Sequence, residues 1–170
     1  PFRGSGWNRW VGHDLSTWWV PDVPVETVRI RDPHRAVTIA GWWMTPDFPS
    51  NKATVIVVHG IDSSRHNFDT LLPAAMLARA GFNILLIDLR DQGETTCEDG
   101  RHSAGQDESD DILTAAHWLK SVKAIPLSRL GVHGVSGGAL AALIVAAKHP
   151  EIAAFSLEAP VFDFNKAATH

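Results

Sequence analysis

Leu130-Gly131-Val132-His133-Gly134-Val135-Ser136-Gly137-Gly138-Ala139-Leu140-Ala141-Ala142 is the stretch on which the fold turns. Its first six residues form a short apolar run that reads as a strand, and residues 139–147 are apolar almost all round, as in a helix buried against a sheet that ends before Pro150. Between them lies Gly134-Val135-Ser136-Gly137-Gly138, a G-x-S-x-G pattern in the strand-to-helix context that gives it meaning. A serine on so sharp a turn needs small neighbours, because a side chain at either flanking glycine would meet backbone. The turn lifts the hydroxyl above the sheet, with the next backbone N–H and the positive end of the helix facing any oxyanion that forms. The same glycines suit a phosphate-binding or merely close-packed turn. Against that stand the lack of a lysine directly after the glycines and the position of the pattern late in the sheet.

Working outward, Thr54–Val58 is a continuous apolar run that reads as a strand buried on both faces and ends at His59-Gly60. Phe68, Leu71, Leu72, Ala75 and Ala78 follow at helical spacing and stop at Gly81. Residues 82–89 form another buried-strand run, and residues 90–105 a polar loop. Ile112, Ala115, Ala116, Leu119 and Val122 mark a second helix, opened by Asp107, Glu108, Asp110 and Asp111, whose carboxylates suit a helix start better than a metal cluster. Residues 152–157 supply a fourth buried run. Upstream, residues 25–30 and 36–44 flank Asp32-Pro33 as a hairpin-like pair, followed by a turn-rich loop at Pro46, Asp47, Pro49, Ser50 and Asn51. Strands alternating with helices predict an α/β fold, a mostly parallel sheet with helices on both faces and ligands at the carboxyl ends of the strands.

His59-Gly60-Ile61-Asp62-Ser63-Ser64 follows the first buried strand and offers a second backbone donor. Ile61 N–H is the choice. Paired with Gly137 N–H it makes an oxyanion hole, in which loss of one donor typically costs on the order of a hundred- to a thousandfold in rate. His59 reads as a structural histidine bonded to nearby backbone rather than as a catalytic base.

Three stretches resemble the α/β-hydrolase superfamily, in its order: Val57-Val58-His59-Gly60 its oxyanion loop, Asp88-Leu89-Arg90-Asp91-Gln92-Gly93-Glu94-Thr95 its D-x-R-G-x-G-x-S loop, and Gly134 to Gly138 its nucleophile elbow. Residues 105–112 resemble the acidic segment of its serine esterase and peptidase-like branch. The resemblance covers about residues 25–170. It departs at Asp91, where the family usually has Gly, and at Thr95, which replaces Ser. It implies a serine hydrolase acting on an ester, thioester or amide, with the acid and histidine following the serine in the chain. Only residues 137–170 follow Ser136. Some relatives place the acid after the next strand, which nominates Asp163 or Glu158. His170 is terminal and poorly suited to an ordered base. The expectation is therefore an incomplete core, residues 25–170, cut after the strand that follows the nucleophile helix, with acid and histidine beyond residue 170. Such a product would expose an unpaired sheet edge and self-associate through it. His133 should project into packing, which leaves His66 and His102 as the histidines nearest to a substitute base.

The resemblance implies an acyl substrate, small molecule or peptide, and no cofactor. The 170 residues suit one domain, and a formal charge of −4 lacks the basic surface of a nucleic-acid binder. Cys97 is the sole cysteine, which rules out an internal disulfide and a multi-cysteine zinc site. No apolar run approaches the roughly 20 residues of a membrane span. Residues 1–24 hold four of the seven tryptophans (Trp7, Trp10, Trp18, Trp19) without periodicity and read as an irregular arm, packed onto the domain or, as the alternative, serving as a membrane-proximal aromatic anchor. The chain opens on Pro1, which points to a processed or excised piece. The competing class of function is a non-enzymatic binding or scaffold domain that keeps the elbow as architecture.

Overall fold

The computed structural model describes residues 23–46 and 53–160. In chain order the elements are β1 (Val25–Arg31), β2 (Thr38–Met44), β3 (Thr54–Val58), α1 (Phe68–Arg79), β4 (Asn83–Ile87), α2 (Gln106–Val122), β5 (Leu130–Val135), α3 (Gly137–Lys148) and β6 (Ala154–Glu158). A single 3-10 turn, Leu127–Arg129, leads into β5. The strands form one sheet in the order β1-β2-β4-β3-β5-β6. β1 and β2 are antiparallel, β2 joins β4 antiparallel, and β4, β3, β5 and β6 run parallel.

The period of two along each central strand sorts its side chains between two cores. Ile56, Val58, Leu85 and Ile87 face α2 and α3, where they meet Ile112, Ala115, Leu119, Ala141, Ala142 and Val145. Val57, Ile84 and Leu86 face α1, where they meet Leu71, Ala74 and Ala78. Helices thus cover both faces, as the unbroken apolar strands require. The chain crosses from β3 through α1 to β4 on one side, then returns past β3 to β5 on the other. This reversal makes the carboxyl ends of β3 and β5 the switch point at which sheets of this kind bind ligands.

Several boundaries shift from the sequence expectation for identifiable reasons. The run at 82–89 forms a strand only over Asn83–Ile87: the Asp88 N–H still donates to the Ala40 carbonyl of β2, but the Asp88 carboxylate and the Leu89 N–H bond the loop after β3. The last strand begins at Ala154 and is not the buried run expected: Ala154, Ser156 and Glu158 are exposed and Phe155 and Leu157 half-buried, because β6 pairs only β5 among the described strands. Ile152 stays in the turn closing α3, with its N–H on the His149 carbonyl, and buries its side chain in the core from there. The acidic helix start is only partly a cap. Glu108 reaches back to the Gly105 N–H, but Asp107 and Asp110 lie beside Arg35, and Asp111 binds Arg90. Of the arm at 1–24, only Val23 and Pro24 are described, and Val23 packs in the α1-side core. Among the described residues no helix is long and apolar enough to cross a membrane and no group of three or more His, Cys, Asp or Glu could hold a metal ion.

Ile56 is fully buried at the centre of β3. Ile56→Ala is expected to cost about 2–5 kcal/mol, read from urea unfolding, whereas Met76→Ala on the exposed side of α1 should move the midpoint little.

Candidate active site

β5 ends at Val135 and α3 begins at Gly137, so Ser136 makes the whole turn. It adopts φ 52° and ψ −113°, a conformation that costs a non-glycine residue about 1–3 kcal/mol. The turn cannot relax, because it is held on both sides. The Ser136 N–H donates to the Glu158 carbonyl at 2.8 Å, and the Ser136 carbonyl accepts the Leu140 N–H at 3.1 Å. A Cβ on Gly134 would sit 2.5 Å from the Gly138 carbonyl oxygen, and one on Gly138 would run into the His59 carbonyl. The two glycines therefore let β5, α3 and the loop after β3 approach backbone to backbone. Ser136 remains partly exposed above them.

The loop after β3 closes on this turn from the other side. A Cβ on Gly60 would stand 3.1 Å from the Ser136 Cβ, and one on Gly137 would lie 3.2 Å from the Ile61 nitrogen. Among the described residues no carbonyl accepts the Ile61 or the Gly137 N–H. Two unpaired amide donors thus flank the serine, one at the free amino end of α3, where the helix dipole adds positive potential.

His59 lies fully buried beneath the loop. The Leu89 N–H donates to Nε2 at 3.0 Å, so the ring proton sits on Nδ1, which donates to the Gly60 carbonyl at 2.7 Å. Burial holds its pKa below the ordinary histidine range and keeps the ring neutral. It bonds no part of Ser136.

Two buried ion pairs brace the neighbouring loops. The Asp88 carboxylate accepts the Arg65 N–H at 2.7 Å, the Glu94 N–H at 2.8 Å and the Arg65 guanidinium, which also meets Glu94 at 3.0 Å. Gly93, at φ 57°, has no room for a Cβ beside that carboxylate. The Arg90 guanidinium pairs with Asp111 at 2.8 Å and with Glu98 at 2.8 Å. Burial pushes the Asp111 carboxyl up to about 6, against the Arg90 guanidinium and N–H, which lower it. The two departures from the hydrolase pattern fit their places. Asp91 takes φ 62°, where glycine is the usual occupant, and its Oδ1 accepts the N–H groups of Glu98, Asp99 and Gly100. The Thr95 hydroxyl donates to the Asp88 carbonyl and accepts the Ala40 N–H.

Ser136, Gly137, Ile61, Gly60, Gly134, Gly138 and His59 therefore come together. Asp163 and His170 lie outside the described residues. Glu158 meets Ser136 through its main-chain carbonyl, while its carboxylate lies 3.9 Å from His133 Nε2. His133 bonds the Ser156 hydroxyl at 3.0 Å, and burial lowers its pKa. His66 stacks edge-on against Trp42, and His102 accepts the Ala104 N–H. Among the described residues no histidine is hydrogen-bonded to Ser136. Sequence reasoning missed the Arg65–Asp88 and Arg90–Asp111 braces. Their signal was two charged residues, Asp88 and Arg90, at the end of the apolar run over residues 82–89.

A parallel sheet reversing at β3, helices on both faces and a serine in a glycine-walled turn after the fifth strand define an α/β-hydrolase. Residues 49–169 match the family described as serine aminopeptidase, S33, and the chain belongs to it. It is similar to two Mycobacterium tuberculosis proteins that carry the name phosphoribosyl transferase, each 30% identical over 130 residues, covering 74% of this chain and 28% of theirs. Among solved structures it resembles a Pyrococcus furiosus esterase (TM-score 0.77, 26% identity, 99% of this chain and 60% of that one). It also resembles a dienelactone hydrolase from Anabaena variabilis (TM-score 0.62, 25% identity, 76% and 60%). The chain spans little more than a quarter of the length of the curated relatives and about three-fifths of the esterase.

Arg65→Met strands the fully buried Asp88 carboxylate and is expected to cost about 3–5 kcal/mol in urea unfolding. Arg29→Met, which removes a pair with Glu94 at the surface, should leave the midpoint nearly unchanged.

Proposed function

We propose that the protein is a serine hydrolase in which the Ser136 hydroxyl attacks the carbonyl carbon of an ester, thioester or amide. The observation that carries this reading is the partly exposed serine at φ 52°, flanked by the unpaired N–H groups of Ile61 and Gly137. Attack forms the Oγ–C bond and moves the carbonyl π electrons onto oxygen, where the two N–H groups stabilise the charge. The serine proton passes to a histidine base and then to the leaving group, whose bond to carbon breaks to give the acyl-serine. Water, deprotonated by the same base, displaces the serine and releases the acid.

No described histidine serves as that base, so it comes from outside the described residues, held by an acid for which Asp163 is one candidate. The family description names a peptidase, and two of the similar structures are an esterase and a dienelactone hydrolase; the proposed acyl-enzyme serves ester and amide alike, while the name of the two curated relatives, phosphoribosyl transferase, does not bear on it. That no described histidine reaches Ser136 is also what favours the second reading, a binding or scaffold domain that retains the turn without turnover. The free edge of β6, which pairs only β5 among the described strands, is the surface through which copies of the 170-residue chain would associate.

The test uses the protein translated from the complete reading frame. A fluorophosphonate probe should label it at Ser136. Ser136→Ala should abolish labelling and lower kcat by about 10⁴-fold or more, while the 170-residue chain alone should turn over far more slowly. Labelling that survives Ser136→Ala removes this serine from the mechanism, and no labelling at all favours the scaffold.

A further inference from the structure

We propose that His59 is a positioning residue that aims the Ile61 N–H at the carbonyl oxygen of the substrate. This deepens the reading of Ser136 and Ile61 as hydrolytic groups and rests on it.

The argument is one of peptide geometry. The Gly60 C=O and the Ile61 N–H belong to a single peptide unit, and with no cis bonds among the described residues they point in opposite directions. The Gly60 carbonyl is turned down onto His59 Nδ1, at 2.7 Å. The Ile61 N–H is therefore turned away from the buried ring. Its nitrogen lies beside Gly137, next to the turn that carries Ser136.

His59 Nδ1 is the hydrogen-bond partner of the Gly60 carbonyl among the described residues. A peptide flip between residues 60 and 61 needs opposite rotations about ψ of Gly60 and φ of Ile61, and glycine opposes such a rotation less than any other residue. After a flip, the Gly60 oxygen would face the developing negative charge in place of the N–H. The flip would also carry Ile61, whose φ is not positive here, into the positive-φ region that a β-branched residue resists, so Ile61 and the His59 hydrogen bond act together in holding the present face. The His59 ring is itself fixed, since the Leu89 N–H at 3.0 Å occupies Nε2 and leaves the proton on Nδ1. His59 thereby ties the loop after β3 to the end of β4 while using its other nitrogen on the peptide above. A base or acid role would need a ring nitrogen free to reach substrate, and both are occupied in the interior.

The two ring nitrogens can be replaced separately. An asparagine amide nitrogen falls near the place of Nδ1 and keeps the donor to Gly60, whereas a glutamine amide reaches the place of Nε2 and keeps only the partner for Leu89. In the protein from the complete reading frame, His59→Gln should lower kcat by about 10²- to 10³-fold, as for loss of one oxyanion donor, with KM within about threefold. His59→Asn should lose less than about tenfold. A boronic-acid inhibitor that mimics the tetrahedral state should weaken in parallel with kcat. Equal losses in the two variants, or a loss confined to KM, overturn the proposal. Long-range ¹H–¹⁵N spectra of the unsubstituted protein check it without any variant: the neutral His59 ring should be protonated at Nδ1, and a proton on Nε2 overturns it. Were Ser136→Ala to retain turnover, the hydrolytic reading would fail first. Full loss on Ser136→Ala with wild-type kcat in His59→Gln would sink the role of His59 alone.

Discussion

The site depends on how closely three pieces of backbone can approach one another. The loop after β3, the end of β5 and the first turn of α3 meet backbone to backbone at Gly134 and Gly138, where a single Cβ would collide with main-chain atoms. Main chain that close leaves its polar groups either paired or aimed at the same small volume. The Ser136 amide and carbonyl are paired, to Glu158 and Leu140, which pins the strained turn. The Ile61 and Gly137 amides are the ones left over. Strain at the serine and unpaired donors beside it are two consequences of one packing constraint, imposed where the sheet reverses direction.

That constraint would be useless if the loop after β3 could drift, and much of the chemistry around it keeps the loop still. His59 fixes its start, Asp88 binds the Arg65 N–H at its end, and Gln92 accepts the Ser63 N–H in between. All three contacts come from the segment after β4, so two loops crowning adjacent parallel strands are laced together. Asp88 is a costly residue to bury. Its carboxylate is tolerable there only because two amide N–H groups and a guanidinium surround it. Arg90 and Asp111 repeat the arrangement one step further out, joining the same loop to α2. Buried charge here sets the geometry of loops that the apolar core alone could not fix.

What the sequence made legible follows this division. Apolar runs located the described strands and helices from Thr54 onward, most plainly β3, β4 and β5, whose burial on both faces leaves a continuous signal, whereas β6 is exposed at every second residue. The turn at Ser136 was legible because glycine is the only residue that fits beside it, so the constraint is written in the composition. The partners of charged residues were not. Asp111 and Glu108 belong to one acidic run, yet Glu108 caps the helix and Asp111 reaches Arg90, a difference set by which way α2 faces. The tautomer of His59 was hidden for a similar reason, since it depends on the Leu89 N–H thirty residues along the chain. Asp163 was nominated from its place after the last strand and lies outside the described residues, so its role stays with the proposed mechanism.

A site assembled in this way separates into a part made of backbone and a part made of side chains. The strained turn and the two amides derive from residues 59–61 and 134–138, and their geometry is enforced by core packing between β3, β5 and α3. An acid and a base contribute nothing to that packing, so they can be supplied by distant segments and differ between relatives without disturbing it. In serine hydrolases a backbone hole with substrate binding retains about 10³- to 10⁴-fold catalysis when the side-chain relay is removed. In the proposed mechanism that share belongs to the described residues. It would survive wherever the peptide between Gly60 and Ile61 keeps its present face toward the serine.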